Sequence, residues 1–119
     1  MFGDDYATRD GTPVRDYVHV EDLARAHILV LERLFKGEGD LVLNAGAGEG
    51  STVREVLRTA EVCLGQPVPA VVGERRAGDP PVLVADTSRL TAMGWRPTKT
   101  LGDMISSAAT WRAKTAVAF

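Results

Sequence analysis

Leu23, Ala26, His27, Val30, Leu31 and Leu34 recur three and four residues apart, a spacing that sets all six along one side of an α-helix. Glu21 and Asp22 suit the positive N-terminal end of such a helix, and Lys36 with Gly37 supplies a basic last turn and a left-handed stop. Ala24, Ile28 and Phe35 widen the apolar surface beyond a single stripe, so a helix over residues 22–35 requires cover on more than one side. That requirement is demanding for a chain of 119 residues, 45% of them hydrophobic, which is sized for one domain and one modest core.

The rest of the chain reads as short elements separated by single glycines and prolines. The first sixteen residues have the composition of a loop, and "YVHV", Tyr17 to Val20, is a β-prone run leading into the helix. "DLVLNAG" reads as a strand that runs into glycines, followed by an amphipathic helix with Val53, Val56, Leu57, Ala60, Cys63 and Leu64 on one face. "PVPAVVG" is an edge-strand candidate weakened by Pro67 and Pro69, and "PVLVAD" is a further strand. Asp86 opens a short helix through Met93, and Thr100 with Asp103 forms a capping pair for a last helix burying Leu101, Met104, Ile105, Ala108 and Trp111. The fold class is therefore mixed α/β, with short strands and about four helices over a single 1–119 segment.

Composition excludes several functions. A net charge of −2 gives no basic field for nucleic acid, and no apolar run approaches the length needed to span a bilayer. The lone Cys63 forms no intrachain disulfide and no cysteine-based metal site, which fits a reducing, cytoplasmic setting. No histidine has a second ligand at metal spacing; His19 reads as a hydrogen-bonded structural residue and His27 as core. Trp95 and Trp111 read as packing residues, and no serine stands in G-x-S-x-G.

The glycine-rich stretch "NAGAGEGSTVREV" raises the question of a dinucleotide cradle, which requires G-x-G-x-x-G and an acidic residue about 20 positions later. Gly46, Gly48 and Gly50 miss that spacing by one residue, and the strand that follows lacks the carboxylate. Thr52 with Glu55 makes a capping box instead, and the glycines permit a tight strand-to-helix turn. Two other clusters suit a phosphorylated ligand. "VRDYVH" displays Arg15 and Tyr17 where a loop meets a rigid element, and "ERRAGDPP" is a stiff turn presenting two arginines and Asp79. From spacing alone, each is more often a solvated surface or a local arginine–aspartate pair than a phosphate site.

In order, "FGDDYATRDGTPVRDYVHVEDLARAHILVLE", "LNAGAGEGSTVREV", "RRAGDPPVLVADTSR" and "MGWRPTKTL" resemble the C-terminal third of the UDP-glucose 4-epimerases, a family of extended short-chain dehydrogenases/reductases. The resemblance covers essentially the whole chain and departs at Ala7 and Met93, where proline and leucine are usual. It implies the C-terminal substrate-binding part of that fold, without the N-terminal Rossmann sheet. It implies that Arg15 and Arg76 contact a UDP diphosphate, that Asp79 contacts the nucleotide ribose, and that Tyr17 lies in the same region. It implies NAD for the full-length family and none bound by this chain alone. The family's Tyr-x-x-x-Lys is not found, since Asp10 stands four residues after Tyr6 and Glu21 four after Tyr17, so no catalytic residue is assigned.

Two functional classes follow from the resemblance. In the first, the chain supplies the UDP-sugar half-site for UDP-galactose/UDP-glucose interconversion in galactose metabolism, with a missing or separately encoded NAD-binding domain as partner. In the second, it is a stand-alone, non-catalytic UDP-sugar binder, or part of another nucleotide-sugar epimerase or dehydratase. In either, the helix of residues 22–35 is expected to be exposed or to pair with another copy.

Overall fold

The computed structural model describes residues 1–115. Three short strands form one sheet: β1 (Val14–Asp16) lies between β2 (Gly50–Thr52), which is antiparallel to it, and β3 (Val82–Leu83), which is parallel. Four helices accompany them, α1 (Val20–Phe35), α2 (Val53–Leu64), α3 (Ser88–Ala92) and α4 (Leu101–Thr115). The mixed α/β class with four helices is as the sequence predicts.

Helix ends follow local chemistry. Thr52 accepts from the Glu55 amide at 3.0 Å and Glu55 reaches back to the Thr52 amide at 2.8 Å, which satisfies two amides that the first turn leaves free. Gly65, at φ 66°, closes α2 in the left-handed conformation that a residue with a Cβ adopts reluctantly. Thr100 and Asp103 cap α4 in the same reciprocal way, at 2.8 and 3.2 Å. Asp86 accepts from the Ser88 amide at 3.0 Å, from one position further out than expected of a cap; the residue at the N-cap of α3 is Thr87, whose side chain makes no capping bond.

Strand assignments fare less well, for a non-local reason. "DLVLNAG" is not a strand: both edges of β1 are taken by β2 and β3, so residues 40–46 run without a ladder and lay Leu41 and Leu43 beside α1 instead. "PVPAVVG" makes only an isolated parallel bridge, Gly73 to Phe2, because its prolines withhold amides. Pairing in β1 starts at Val14, inside the segment read as loop, and stops before "YVHV", where His19 turns the chain into α1.

The core is small. Ala26, Leu90 and Trp95 form one buried cluster, with Val18, Leu29, Leu43 and Ala45 against it. Asp22, 0% exposed, ties α1 to the 95–99 loop: its carboxylate accepts from the amides of Thr98 and Lys99 at 3.1 and 3.0 Å, from the Thr98 hydroxyl at 3.0 Å, and from Arg25. Its carbonyl accepts the Trp95 indole N–H at 2.9 Å. A second polar centre is Asp10, which accepts from the Thr12 amide and hydroxyl and, at 2.6 Å, from the Thr52 hydroxyl.

Outside these centres, apolar surface is left bare. Phe35 is 88% exposed, and Val20, Ile28, Leu31 and Leu34 are exposed on the same helix. Only Asp22 and Ala26 of α1 are buried. His27 is not core: it is exposed and donates from Nδ1 to the Leu23 carbonyl at 2.8 Å. Trp111 is not buried either, at 70% exposure, and Ala108 beside it is also exposed, because nothing among the described residues covers that side of α4. The radius of gyration of 17.0 Å exceeds the roughly 13–14 Å of a compact domain this long, as expected of elements that leave faces uncovered.

Candidate functional site

β1 positions Arg15 at the centre of the sheet, half-buried, with its guanidinium turned toward the start of β3. Nη1 donates to the Val14 carbonyl at 2.8 Å and the Pro80 carbonyl at 3.0 Å, while Nη2 faces the Asp79 carboxylate at 3.6 Å. Those bonds occupy Nη1, Nη2 keeps the looser ion pair with Asp79, and Nε has no partner among the described residues. The prolines make this possible: the Pro81 carbonyl accepts the Val14 amide at 2.8 Å, fixing the 79–81 turn against β1.

Neighbouring arginines of the "ERRAGDPP" turn have different duties. Arg75 lies over the Tyr6 ring at 4.2 Å and is ion-paired to Asp5 at 2.6 Å, so its charge is neutralised within the chain. Arg76 lies over the Phe2 ring at 3.8 Å and pairs with no carboxylate among the described residues. Its face is stacked and its edge is open, the arrangement that suits a guanidinium to bidentate oxyanion binding. Phe2 escaped the sequence reading, because nothing in local spacing signals an aromatic partner more than 70 positions away.

Tyr17 follows Arg15 by two positions and lines a cleft of about 380 Å³ with Ser51, Thr98, Lys99, Thr100 and Met104. Burial raises its phenol pKa above the ordinary value, and the charge of Arg15 works against that rise. Arg15 lines a different cleft, of about 420 Å³, with Asp16, Asn44, Leu83 and Asp86. Arg15 and Asp79 therefore stand together, Tyr17 stands beside them facing its own cleft, and Arg76 stands apart on Phe2. His19 is fully engaged. Its Nδ1 accepts from the Glu21 amide at 3.0 Å, so its proton is on Nε2, 2.8 Å from the Ser107 hydroxyl, which itself donates to the Met104 carbonyl.

The glycine turn offers no room for a dinucleotide pyrophosphate. Its amides at Ala47 and Gly48 donate to the Asp16 carboxylate at 2.6 and 3.1 Å, so the chain's own anion occupies the cradle. A Cβ on Gly46 would lie 2.3 Å from Asp16 Oδ2, and one on Gly50 2.2 Å from Val14, which explains both glycines by close approach to β1. The residues present do not fit NAD at this turn.

Residues 2–46 match the NAD dependent epimerase/dehydratase family. The UDP-glucose 4-epimerase of Azospirillum brasilense is 50% identical over 113 residues, covering 93% of this chain and 32% of that protein. The chain belongs to the NAD dependent epimerase/dehydratase family. Among solved structures, the UDP-glucose-4-epimerase of Stenotrophomonas maltophila, with bound NAD and formylated UDP-arabinopyranose, superposes with a TM-score of 0.93 at 40% identity, over 99% of this chain and 35% of that one. The Bifidobacterium longum UDP-glucose 4-epimerase, in complex with NAD+ and UDP, superposes with a TM-score of 0.87 at 39% identity, over 99% and 35%. The chain spans about one third of the length of the curated relatives it matches. No helix among the described residues is long and apolar enough to cross a membrane.

Proposed function

We propose that this chain supplies the UDP-sugar half-site of a UDP-glucose 4-epimerase, with NAD held by residues outside it. The observation that carries the proposal is the Arg15–Asp79 pair. A guanidinium with an unbonded Nε and an Nη2 held only loosely, 3.6 Å from a carboxylate, offers an arriving diphosphate a cation, and the carboxylate offers a ribose an acceptor of hydroxyl protons. Arg76, with its open edge, is the second diphosphate ligand, and Tyr17, close enough to feel the charge of Arg15, lies in the cleft next to it. The likeness to structures that hold UDP or a UDP-sugar supports this reading. The bare apolar face of α1 is, on this view, the seat of the NAD-binding part of the enzyme.

A second reading, in which the chain binds UDP-sugar without turning it over, rests on the same Arg15–Asp79 pair. Calorimetry with UDP tests what the two readings share. Binding by the wild type, weakened about 10- to 100-fold in Arg15→Ala, is expected from the loss of a charge-assisted donor pair; an absence of heat for the wild type would sink both. Adding an NAD-binding half and following UDP-galactose conversion then separates them, since turnover supports only the first.

A further inference from the structure

Asp16, the last residue of β1, lies between Arg15 and Tyr17, both assigned to the ligand, yet its carboxylate points into the fold. It accepts three backbone amides, Ala47 at 2.6 Å, Gly48 at 3.1 Å and Ala85 at 3.1 Å, and no lysine or arginine pairs with it among the described residues. Gly46 is buried and lacks a side chain where Asp16 Oδ2 would be struck.

The position of Ala85 gives this arrangement a consequence. β3 is only two residues long and exposed, so its ladder with β1 gives little hold of its own. Asp16 adds a charge-assisted bond just past its end, while Pro80 and Pro81, just before its start, touch Arg15 and Val14. The carboxylate therefore fixes how β3 lies along β1, and with it where Pro80 and Asp79 meet Arg15.

We propose that Asp16 is a positioning residue for Arg15: an internal anion, bound in the amide cradle of the glycine turn, that holds Arg15 and Asp79 in the relative geometry a diphosphate ligand needs. The functional part of this inference rests on the UDP-sugar reading above.

Two measurements on the full chain test it, with Asp16→Ala as the variant and formate as a small carboxylate able to fill the vacated cradle. The first needs no nucleotide. In ¹⁵N-resolved NMR, Asp16→Ala is expected to shift the Arg15 Nε resonance and the Ala47, Gly48 and Ala85 amides while leaving Arg76 Nε in place, with formate restoring the wild-type positions. An unmoved Arg15 resonance overturns the inference whatever UDP does. The second is UDP calorimetry well below each variant's melting midpoint. Affinity is expected to fall about tenfold in Asp16→Ala, the size of one weakened charge-assisted contact, and to recover with formate. Equal affinity also overturns the inference. A wild type that binds no UDP refutes the UDP reading alone, and the resonance arm still decides. Asp16→Asn, which keeps the volume and loses the charge, replaces the alanine variant if that does not melt cooperatively, with the same shifts expected and no formate rescue.

Discussion

Replacing Asp22 by alanine is the sharpest test of how this fold is held. The side chain is 0% exposed and accepts four hydrogen bonds, three of them from the 98–99 loop. The fourth partner, Arg25, is about half exposed (48%), so water screens that pair and its loss costs at most about 1 kcal/mol. A bond to a charged acceptor contributes about 1.5–3 kcal/mol, but Thr98 is exposed and water would take over part of what the loop loses. The net expectation is a loss of about 3–5 kcal/mol, within the range for breaking a buried ionic cluster and comparable to the whole stability of a small domain. Asp22→Asn keeps one acceptor and should lose about half as much. Burial by itself would raise the Asp22 pKa; the amides of Lys99 and Thr98, the Thr98 hydroxyl and Arg25 together hold it below the ordinary value. A lowered folded pKa means that the contribution is present above about pH 4 and lost as pH falls through the folded pKa, so the gap between wild type and Asp22→Asn should close in acid. Urea denaturation followed by circular dichroism measures both. A loss below about 1 kcal/mol for Asp22→Ala would refute the claim that this carboxylate joins α1 to the loop.

Other expectations follow from the same reasoning. Bonding to Arg9 holds the Glu55 carboxyl down at about 2, and Asp10 also lies at about 2, where bonds from Thr12 and Thr52 outweigh the rise due to burial. Both pKa values are lowered, so urea midpoints should be level above about pH 5 and fall steadily from there toward pH 2; a midpoint unchanged across that window contradicts the two clusters. Thr52→Ala removes the α2 cap and the donor to Asp10 together, and should destabilise by about 2 kcal/mol, the upper end for a cap; a loss under about 0.5 kcal/mol would show that the hydroxyl is replaceable. Arg76→Ala should weaken UDP binding about 10-fold or more, whereas Arg75→Ala, whose charge is already matched by Asp5, should leave it within about 2-fold. Equal losses in the two variants would contradict the division of labour between them.

Legibility in the sequence tracks the distance over which each feature is determined. Thr52 with Glu55, Thr100 with Asp103 and the stop at Gly65 are settled within four residues, and these helix ends stand where the sequence puts them. Strands depend on partners that sequence order does not reveal, so "DLVLNAG" lost its ladder to β2 and β3 while β1 began early. The glycine turn was readable as a turn, but its occupant was not, because Asp16 lies 31 positions before the amide it binds. Both arginines of the "ERRAGDPP" turn were candidates from their residue type, and resemblance alone singled out Arg76; the Phe2 stacking that sets it apart from Arg75 is a tertiary event. His27 and Trp111 were misread for one reason: apolar periodicity tells which side of a helix wants cover, not whether cover is at hand.

The Asp22 cluster also sets an order of events during synthesis. α1 is complete by Phe35, yet the loop that clasps it lies 76 and 77 positions after Asp22. At about 5–20 residues per second, Thr98 and Lys99 follow Asp22 by roughly 4–15 seconds. During that interval the nascent helix has neither its clasp nor the Trp95 that packs beside Ala26. What waits for that late loop is the narrow buried seam of the helix, Asp22 and Ala26, and not its bare apolar face, which the completed fold leaves open as well.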